Sequence, residues 1–267
     1  MRLSSSLALA TALALPAAAE TFDCVINPAV TVRVGGPVPG LLDEVYVDQG
    51  DIVTQGQKLA RLRSEVEATT LDVVALQAES RAEIEAQESR LKLAQQRLER
   101  VQEMVSRNIA PLQDLEAAEA ETDVIARELA IAEMRQKVAQ LERERAGQLL
   151  AQRLITSPVE GVVVVRHLFG GEYLDQDSPV VTIARVDPLH VEAFLPVALY
   201  GSVEPGMVLP VTPDAPITGT RDAQVEVVDR VFDAASGTFG VRLRLDNADL
   251  SIPAGHRCRI EIPAATQ

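Results

Sequence analysis

The chain has 267 residues, 47% of them hydrophobic, and a formal net charge of −14 from 25 Lys and Arg against 39 Asp and Glu. A surface this acidic argues against a basic groove for nucleic acid and against broad contact with anionic membrane surfaces. With 3% aromatic residues, two Cys and three His, the composition also argues against one large globular core, a Cys-rich metal framework and a disulfide-dense scaffold.

Residues 1–19 are typical of a secretory signal peptide. Arg2 supplies the charged start, residues 7–15 a short apolar run, and residues 17–19 a small-residue cleavage pattern. The run is short for a membrane span, which leaves an uncleaved anchor as the alternative. Cys24 lacks the small residue that precedes a lipidated bacterial cysteine, so no lipid anchor is expected. The sequence therefore predicts an exported protein in an oxidising compartment.

An internal repeat with an offset of 121 residues links residues 39–62 to residues 158–183. Each copy alternates apolar and polar residues between glycines, which is the periodicity of strands separated by turns. Neither copy can bury its apolar face alone, so we expect the two to pack together as a small two-fold sandwich. We assign four glycines to the turns of this sandwich, and expect positive φ at Gly50 and Gly171. The matched positions are Gly40 with Gly161, Gly50 with Gly171, Asp51 with Glu172, Val53 with Leu174, Leu59 with Val180, and Leu62 with Ile183.

Between the copies, residues 65–152 contain no aromatic residue, one Pro and one Gly, and are rich in good helix formers. Ser64 and Glu67 match a capping box at the start. Asn108 suits a left-handed helix end and Pro111 a first helical turn. This predicts an antiparallel hairpin over residues 64–153, with arms of roughly 40 residues and about 60 Å.

Two heptad series predict the seam between the arms. The second series is rich in Ala and buries little area per turn, so we expect the second arm to gain stability by packing against neighbouring molecules. The 18 acidic and 11 basic residues of the region are interspersed, as on a solvated coiled coil. The seam positions are Ile84, Leu91, Leu98 and Val105 with Ala94 and Val101, then Ile125, Ala132, Ala139 and Ala146 with Leu129 and Leu141.

From residue 187 the pattern returns to short alternating runs separated by Gly and Pro, which predicts a small antiparallel β-barrel. The predicted fold class is therefore α+β and elongated, with a β-sandwich that is split by the helical hairpin and followed by the barrel. The predicted domains are a signal peptide (1–19), an N-terminal strand that joins the barrel (20–33), the sandwich (34–63 plus 154–186), the hairpin (64–153) and the barrel (187–267).

No catalytic motif is visible: the chain lacks G-x-S-x-G, H-E-x-x-H and a phosphate-binding glycine loop. His167, His190 and His256 fall on separate strands or turns, and the methionines are too scattered for a soft-metal shuttle. We therefore predict no enzyme activity, cofactor or metal. Cys24 and Cys258 lie near opposite ends of the barrel sequence, and an oxidising compartment favours a disulfide between them over two separate thiols.

Several short segments stand in a characteristic order: Gly50-Asp51-Ile52-Val53, Gly56-Gln57-Lys58-Leu59, Ser157-Pro158-Val159-Glu160-Gly161-Val162-Val163, Gly171-Glu172-Tyr173, Asp187-Pro188-Leu189-His190-Val191 and Gly237-Thr238-Phe239-Gly240-Val241-Arg242. Together with two half-motifs around a long hairpin and a barrel after them, they resemble the periplasmic adaptor proteins, or membrane fusion proteins, of Gram-negative tripartite efflux pumps (HlyD and AcrA type). The resemblance covers about residues 25–262. It implies a lipoyl-like sandwich, an α-hairpin, a β-barrel and six copies packed into a funnel.

The resemblance also implies a function. Such a protein links an inner-membrane efflux transporter, with the resistance-nodulation-division (RND) type favoured, to a TolC-type outer-membrane channel, and lies in the periplasm at the inner membrane. Three alternatives are an adaptor of an ABC or major-facilitator exporter, a stand-alone periplasmic coiled-coil scaffold, and a lipoyl carrier. The carrier is disfavoured because the hairpin occupies the place of the modified lysine.

In the family, the hairpin tip contacts the outer-membrane channel and carries an Arg, a Leu four residues later and a Ser seven beyond that. Here these positions are Arg100, Met104 and Pro111, so the Ser is replaced. A second departure is that only residues 263–267 follow the barrel, where RND-linked members often carry a membrane-proximal domain. Either the barrel itself would then face the pump, or another domain would replace this contact. The resemblance implies channel contacts at Arg100, Met104, Arg107, Asn108, Pro111 and Leu112.

Overall fold

The computed structural model describes residues 20–262. The predicted signal peptide and residues 263–267 lie outside the described part. The helices are α1 (Glu65–Glu79), α2 (Ala82–Ser106) and α3 (Leu112–Ala151). The strands are β1 (Glu20–Val34), β2 (Gly40–Val45), β3 (Ile52–Val53), β4 (Lys58–Leu62), β5 (Leu154–Thr156), β6 (Gly161–Arg166), β7 (Tyr173–Leu174), β8 (Val181–Pro196), β9 (Val208–Pro213), β10 (Arg221–Val228), β11 (Thr238–Leu245) and β12 (His256–Ile262).

The expected antiparallel barrel is present and has six strands, in the order β1-β12-β9-β10-β11-β8, closed by pairing of β8 with β1. Along β11, every second residue from Phe239 to Leu245 is buried, as a half-buried strand requires. The inward side chains of the six strands form one apolar core around Phe239, Leu195 and Leu209. Closure leaves no strand edge free within the barrel, which protects it from pairing with other chains.

Two long strands join the barrel to the sandwich. We expected residues 20–33 to form a strand that joins the barrel. The first half of β1 does so, whereas Val30–Val34 pair with Arg185–Val181 of β8 in the sandwich. The register shifts between Pro28 and Val30, so the strand turns its side chains from one core to the other. Val34 accordingly packs in the sandwich core, whereas Ile26 packs in the barrel core.

The sandwich has the two-fold symmetry that the repeat predicts. Strands β2 and β6 have the same burial pattern, and so do β3 and β7. The Gly50 N–H donates to the Val163 carbonyl at 2.8 Å, and 121 residues later the Gly171 N–H donates to the Leu42 carbonyl at 2.8 Å. Strands of each copy therefore pair with strands of the other, β3 with β6 and β2 with β7, in addition to the pairings of β2 with β4 and of β6 with β8 inside each copy. Side chains of both copies form a single core.

The four sandwich glycines occupy two kinds of site. Gly50 and Gly171 lie in turns with φ of 95° and 90°, where a side chain is strained. Gly40 and Gly161 instead begin strands β2 and β6, which corrects their assignment to turns. At Gly161 a side chain is excluded by space, because a Cβ would collide with the Ala184 backbone of β8.

The helices form the expected antiparallel hairpin, with α3 running unbroken for 40 residues, about 60 Å. Asn108 has φ of 57° and ends the first arm, and Pro111 caps α3 from outside the helix. The buried seam residues are Ile84, Ala94 and Val101 on α2, and Ala118, Ala132 and Ala146 on α3.

The first arm is broken at Ser80–Arg81, which the heptad analysis did not predict. Along α1, the residues that face α3 are spaced three or four apart up to Ala78, and the next buried residue, Ile84 on α2, comes six residues later. A step of six rotates the helix by about 600°, roughly 120° short of two turns, whereas a step of seven is only about 20° short. One continuous helix cannot point both Ala78 and Ile84 at α3, so Ser80 becomes extended, with φ of −69° and ψ of 118°.

Two local predictions in the hairpin are wrong. The Ser64 side chain makes no capping hydrogen bond, and the second member of the predicted capping box, Glu67, instead accepts from Arg153 Nη2 at 2.6 Å. This part-buried pair links the start of α1 to the end of the hairpin. Leu141, predicted beside the seam, is 51% exposed, because it lies on the back of α3.

Candidate functional site: the hairpin tip and outer helix faces

The hairpin ends in an exposed apolar turn. Residues 107–111 connect α2 to α3, and the Ile109 N–H closes the turn on the Met104 carbonyl at 2.8 Å. Met104, Ile109 and Leu112 are 40%, 70% and 62% exposed. Exposed apolar side chains grouped at the end of a long polar shaft are typical of a contact surface.

The structure groups five of the six predicted channel contacts around this turn, with Arg100 one helical turn below Met104. Asn108 holds the left-handed position, and Arg107 forms an ion pair with Glu103 in the last turn of α2. Arg100 is exposed, and its side chain makes no ion pair with any residue between 20 and 262. Ile109, the most exposed apolar side chain of the turn, is not among the predicted contacts. An apolar residue inside a polar helix break is the sequence feature that could have identified it.

The backs of α1 and α3, which face away from the seam, carry a second set of apolar residues at heptad spacing. We call these the outer stripes. They are between 46% and 75% exposed, which leaves on each arm an apolar face with no partner among the described residues. The outer stripe of α3 consists of Val124, Ile131, Met134, Val138 and Leu141, and that of α1 of Val66, Val73 and Leu76.

An aromatic cluster lies where β8 ends. Tyr200 and Phe232 stack edge to face with ring centres 4.8 Å apart, and Tyr200 also meets the buried Phe239. The loop that carries Phe232 is held by Asp233. The Ala235 N–H and the Ser236 hydroxyl donate to the Asp233 carboxylate and lower its pKa.

The residues able to carry chemistry are dispersed. His167 Nε2 lies 2.8 Å from the Thr182 hydroxyl, His256 bonds the Asp214 carbonyl, and His190 lies near Glu226. Between residues 20 and 262, no three His, Cys, Asp or Glu side chains are grouped so as to hold a metal ion. None of the helices in this part of the chain combines the length and apolar character needed to cross a bilayer.

The two cysteines face each other across the β1–β12 pair, with Cα atoms 4.8 Å apart and their sulfurs joined as a disulfide. Both are buried in the barrel core. The first strand of the barrel is thereby linked covalently to the last described one.

A family model described as the CzcB-like, barrel-sandwich hybrid domain matches residues 30–185. The pyoverdine export membrane fusion protein PvdR of Pseudomonas putida is 30% identical over 186 residues, which are 68% of this chain and 47% of PvdR. The cation efflux system protein CusB of Escherichia coli is 27% identical over 134 residues, which are 48% of this chain and 32% of CusB. The chain spans less than half the length of each of these relatives.

Among solved structures, the crystal structure of MacA from Actinobacillus actinomycetemcomitans superposes with a TM-score of 0.75 at 20% sequence identity. The match covers 91% of this chain and 78% of MacA. At this identity the likeness shows that the fold is shared.

Proposed function

The chain belongs to the membrane fusion proteins that carry a CzcB-like barrel-sandwich hybrid domain, and we propose that it works as a non-enzymatic periplasmic adaptor of an efflux system. The observation that carries the proposal is the long hairpin that projects from this domain and ends in an exposed apolar turn. A long helical hairpin with an exposed apolar tip suits a protein that spans a gap and docks on a partner.

The proposed partners are an inner-membrane efflux transporter, with the RND type favoured, and a TolC-type outer-membrane channel. Met104 and Leu112 would supply apolar contact to the channel, with Arg100 as a polar anchor. The barrel would face the transporter, and the sandwich would join the two ends. In this mechanism the sandwich and barrel domains of the assembled copies form stacked rings. The rings line a path for small molecules and couple the motion of the transporter to the outer-membrane channel.

An adaptor for an ABC or major-facilitator exporter is the second candidate, and a stand-alone periplasmic scaffold the third. The first test is mild-detergent affinity purification of the tagged protein from its own membranes, followed by mass spectrometry. A multi-span transporter and an outer-membrane channel should both be recovered, and the identity of the transporter decides the pump class. Recovery of this protein alone, even after cross-linking, would contradict the adaptor role and favour the scaffold.

Changing Leu112 to Glu is expected to reduce recovery of the outer-membrane channel by about tenfold, because it places a charge in an apolar contact that contributes about 1 to 2 kcal/mol. Recovery of the transporter should not change. Leu93→Glu is the matched control: Leu93 is also exposed, at 64%, but lies on the shaft of α2. Equal channel recovery with Leu112→Glu and with the parent protein would mean that the tip is not the contact.

We further propose that copies of the chain pack side by side through the outer stripes. These stripes repeat the a/d spacing of a coiled-coil seam on the side of each arm that its own partner helix does not cover. Six copies is the number that the family resemblance suggests.

The double variant Ile131→Glu/Val138→Glu should weaken self-association about 100-fold, because two β-branched residues that become buried on association contribute roughly 3 kcal/mol or more. Analytical ultracentrifugation over a concentration series measures the effect. Gln140→Glu adds a charge to the side of the same helix and should have no effect. Association of the double variant at the parent's strength would show that the outer stripes do not join the copies.

A further inference from the structure

A cleft separates the sandwich from the barrel and lies far from the hairpin tip. Its walls are β6 of the sandwich and the β11–β12 connection of the barrel, and its volume is about 530 Å³. A second recess of about 200 Å³ opens beside it and shares Val162, Val186 and Leu250. Clefts of this combined size accommodate drug-sized molecules.

The cleft is lined almost entirely by apolar groups. Strand β6 reads Gly-Val-Val-Val-Val-Arg, and Val162, Val163 and Val164 all line the cleft, although the side chain of Val163 is buried in the sandwich core. A strand with one face in water normally alternates apolar and polar residues, so valines on both faces indicate that the outer face has a partner. Pro253 and Ala254 form the opposite wall.

Leu250 projects into both recesses from a strained backbone. Its φ is 52°, a left-handed conformation that L residues other than Gly, Asn and Asp seldom adopt. The buried Asn247 holds the loop in this shape: its side chain donates to the carbonyls of Val186 and Ile252 and accepts from the Ile252 N–H. A large apolar residue kept in a strained position next to a cleft points to a role for its side chain there.

Arg185 lines the smaller recess without a partner of its own. Its Nε is buried and makes no hydrogen bond, and its guanidinium forms no ion pair with any residue between 20 and 262. Two carboxylates share the recess. Glu160 is exposed to solvent, and Asp187 accepts the Asn247 N–H at 2.9 Å. A half-buried guanidinium without a partner is costly unless a group from outside completes it.

From this arrangement we infer that the junction cleft binds a small amphipathic anion, with its apolar body on Val162, Val164 and Leu250 and its negative head on Arg185. Guanidinium groups bind carboxylate and sulfonate oxygens in charge-assisted pairs. The site lies on the joint between the two β domains, so an occupant would contact both. The inference goes beyond the adaptor role and does not depend on its partners.

The test uses two fluorescent probes with related rings. 1-Anilinonaphthalene-8-sulfonate has the expected anionic head, and N-phenyl-1-naphthylamine lacks it. Both are titrated into the purified protein. Arg185→Gln should lower the affinity for the sulfonate probe about tenfold and the affinity for the neutral probe less than twofold, because only the charged pair is lost. Leu250→Gly should lower the affinity for both probes at least about fivefold, because the apolar contact is lost. The thermal stability of this variant should equal or exceed that of the parent, since Gly accepts the left-handed backbone.

Two controls match these variants. Val231→Gly removes an apolar side chain, 84% exposed, from a barrel loop outside the cleft, and Arg63→Gln removes an exposed arginine outside the cleft. Neither should change either affinity. If the Arg185→Gln or the Leu250→Gly variant binds both probes with the same affinity as the parent protein, the junction cleft is not the binding site. That result would leave the adaptor proposal intact, since no transporter or channel enters the assay.

Discussion

Replacing Gly161 by alanine is expected to destabilise the sandwich by about 3 kcal/mol or more. The added Cβ would collide with the carbonyl oxygen and carbon of Ala184, which are backbone atoms of β8. This strand is paired on both sides, with β1 and β6, so it cannot move aside as a flexible side chain would. Overpacking against a fixed backbone is among the most destabilising single changes.

Chemical unfolding followed by far-ultraviolet circular dichroism measures this loss, with Gly50→Ala and Gly171→Ala as controls. Those two glycines have open space at the Cβ position, so an alanine there costs only the left-handed backbone, about 1 kcal/mol. The result that would refute the reasoning is a Gly161→Ala variant no less stable than these two.

Loss of the Cys24–Cys258 disulfide is expected to cost about 5 kcal/mol in the chain-entropy description, because the bond closes a loop spanning 234 residues of sequence. The effect should fall on the barrel, since the bond joins β1 to β12. Comparing unfolding of the parent, the reduced parent and Cys24→Ala/Cys258→Ala separates the cross-link from the small cavity that alanine leaves. Because both cysteines are buried, reduction requires prior denaturation.

Alkylation provides the direct check on this bond. Denatured but unreduced protein should take up no alkyl group, and reduced protein should take up two. Uptake of two groups without reductant would contradict the bond and, with it, the expected difference in stability.

The sequence predicts the parts of this fold that repeat. The offset of 121 residues identifies the paired strands because both copies meet the same packing need, as the matching Gly50–Val163 and Gly171–Leu42 hydrogen bonds show. The hairpin is predictable for the same reason, because a long uniform contact between its two arms requires apolar residues at heptad spacing. Of the proposed contact site, the turn at Asn108 is visible in the sequence because a left-handed residue and a proline mark it.

The features that escape prediction depend on contacts between distant segments. The break at Ser80 follows from a six-residue step that is evident only once the inward face of α1 is known. Glu67 is taken out of the predicted capping box by Arg153, which lies 86 residues away in the sequence. The outer stripes use the same residue types as the seam, so spacing alone does not tell which series faces the partner arm. Arg185 is unremarkable until the structure shows that nothing between residues 20 and 262 pairs with it.

The strands β1 and β8 run through both β domains as one ladder, from the Cys24–Ala193 pair to the Val34–Val181 pair. A pull that draws the barrel away from the sandwich acts along these strands. Because each strand is anchored in both domains, two continuous backbones carry this force side by side, and the hydrogen bonds between them keep the two strands aligned. The joint between the barrel and the sandwich should resist stretching far better than bending. It would transmit tension from the barrel to the base of the hairpin with little extension.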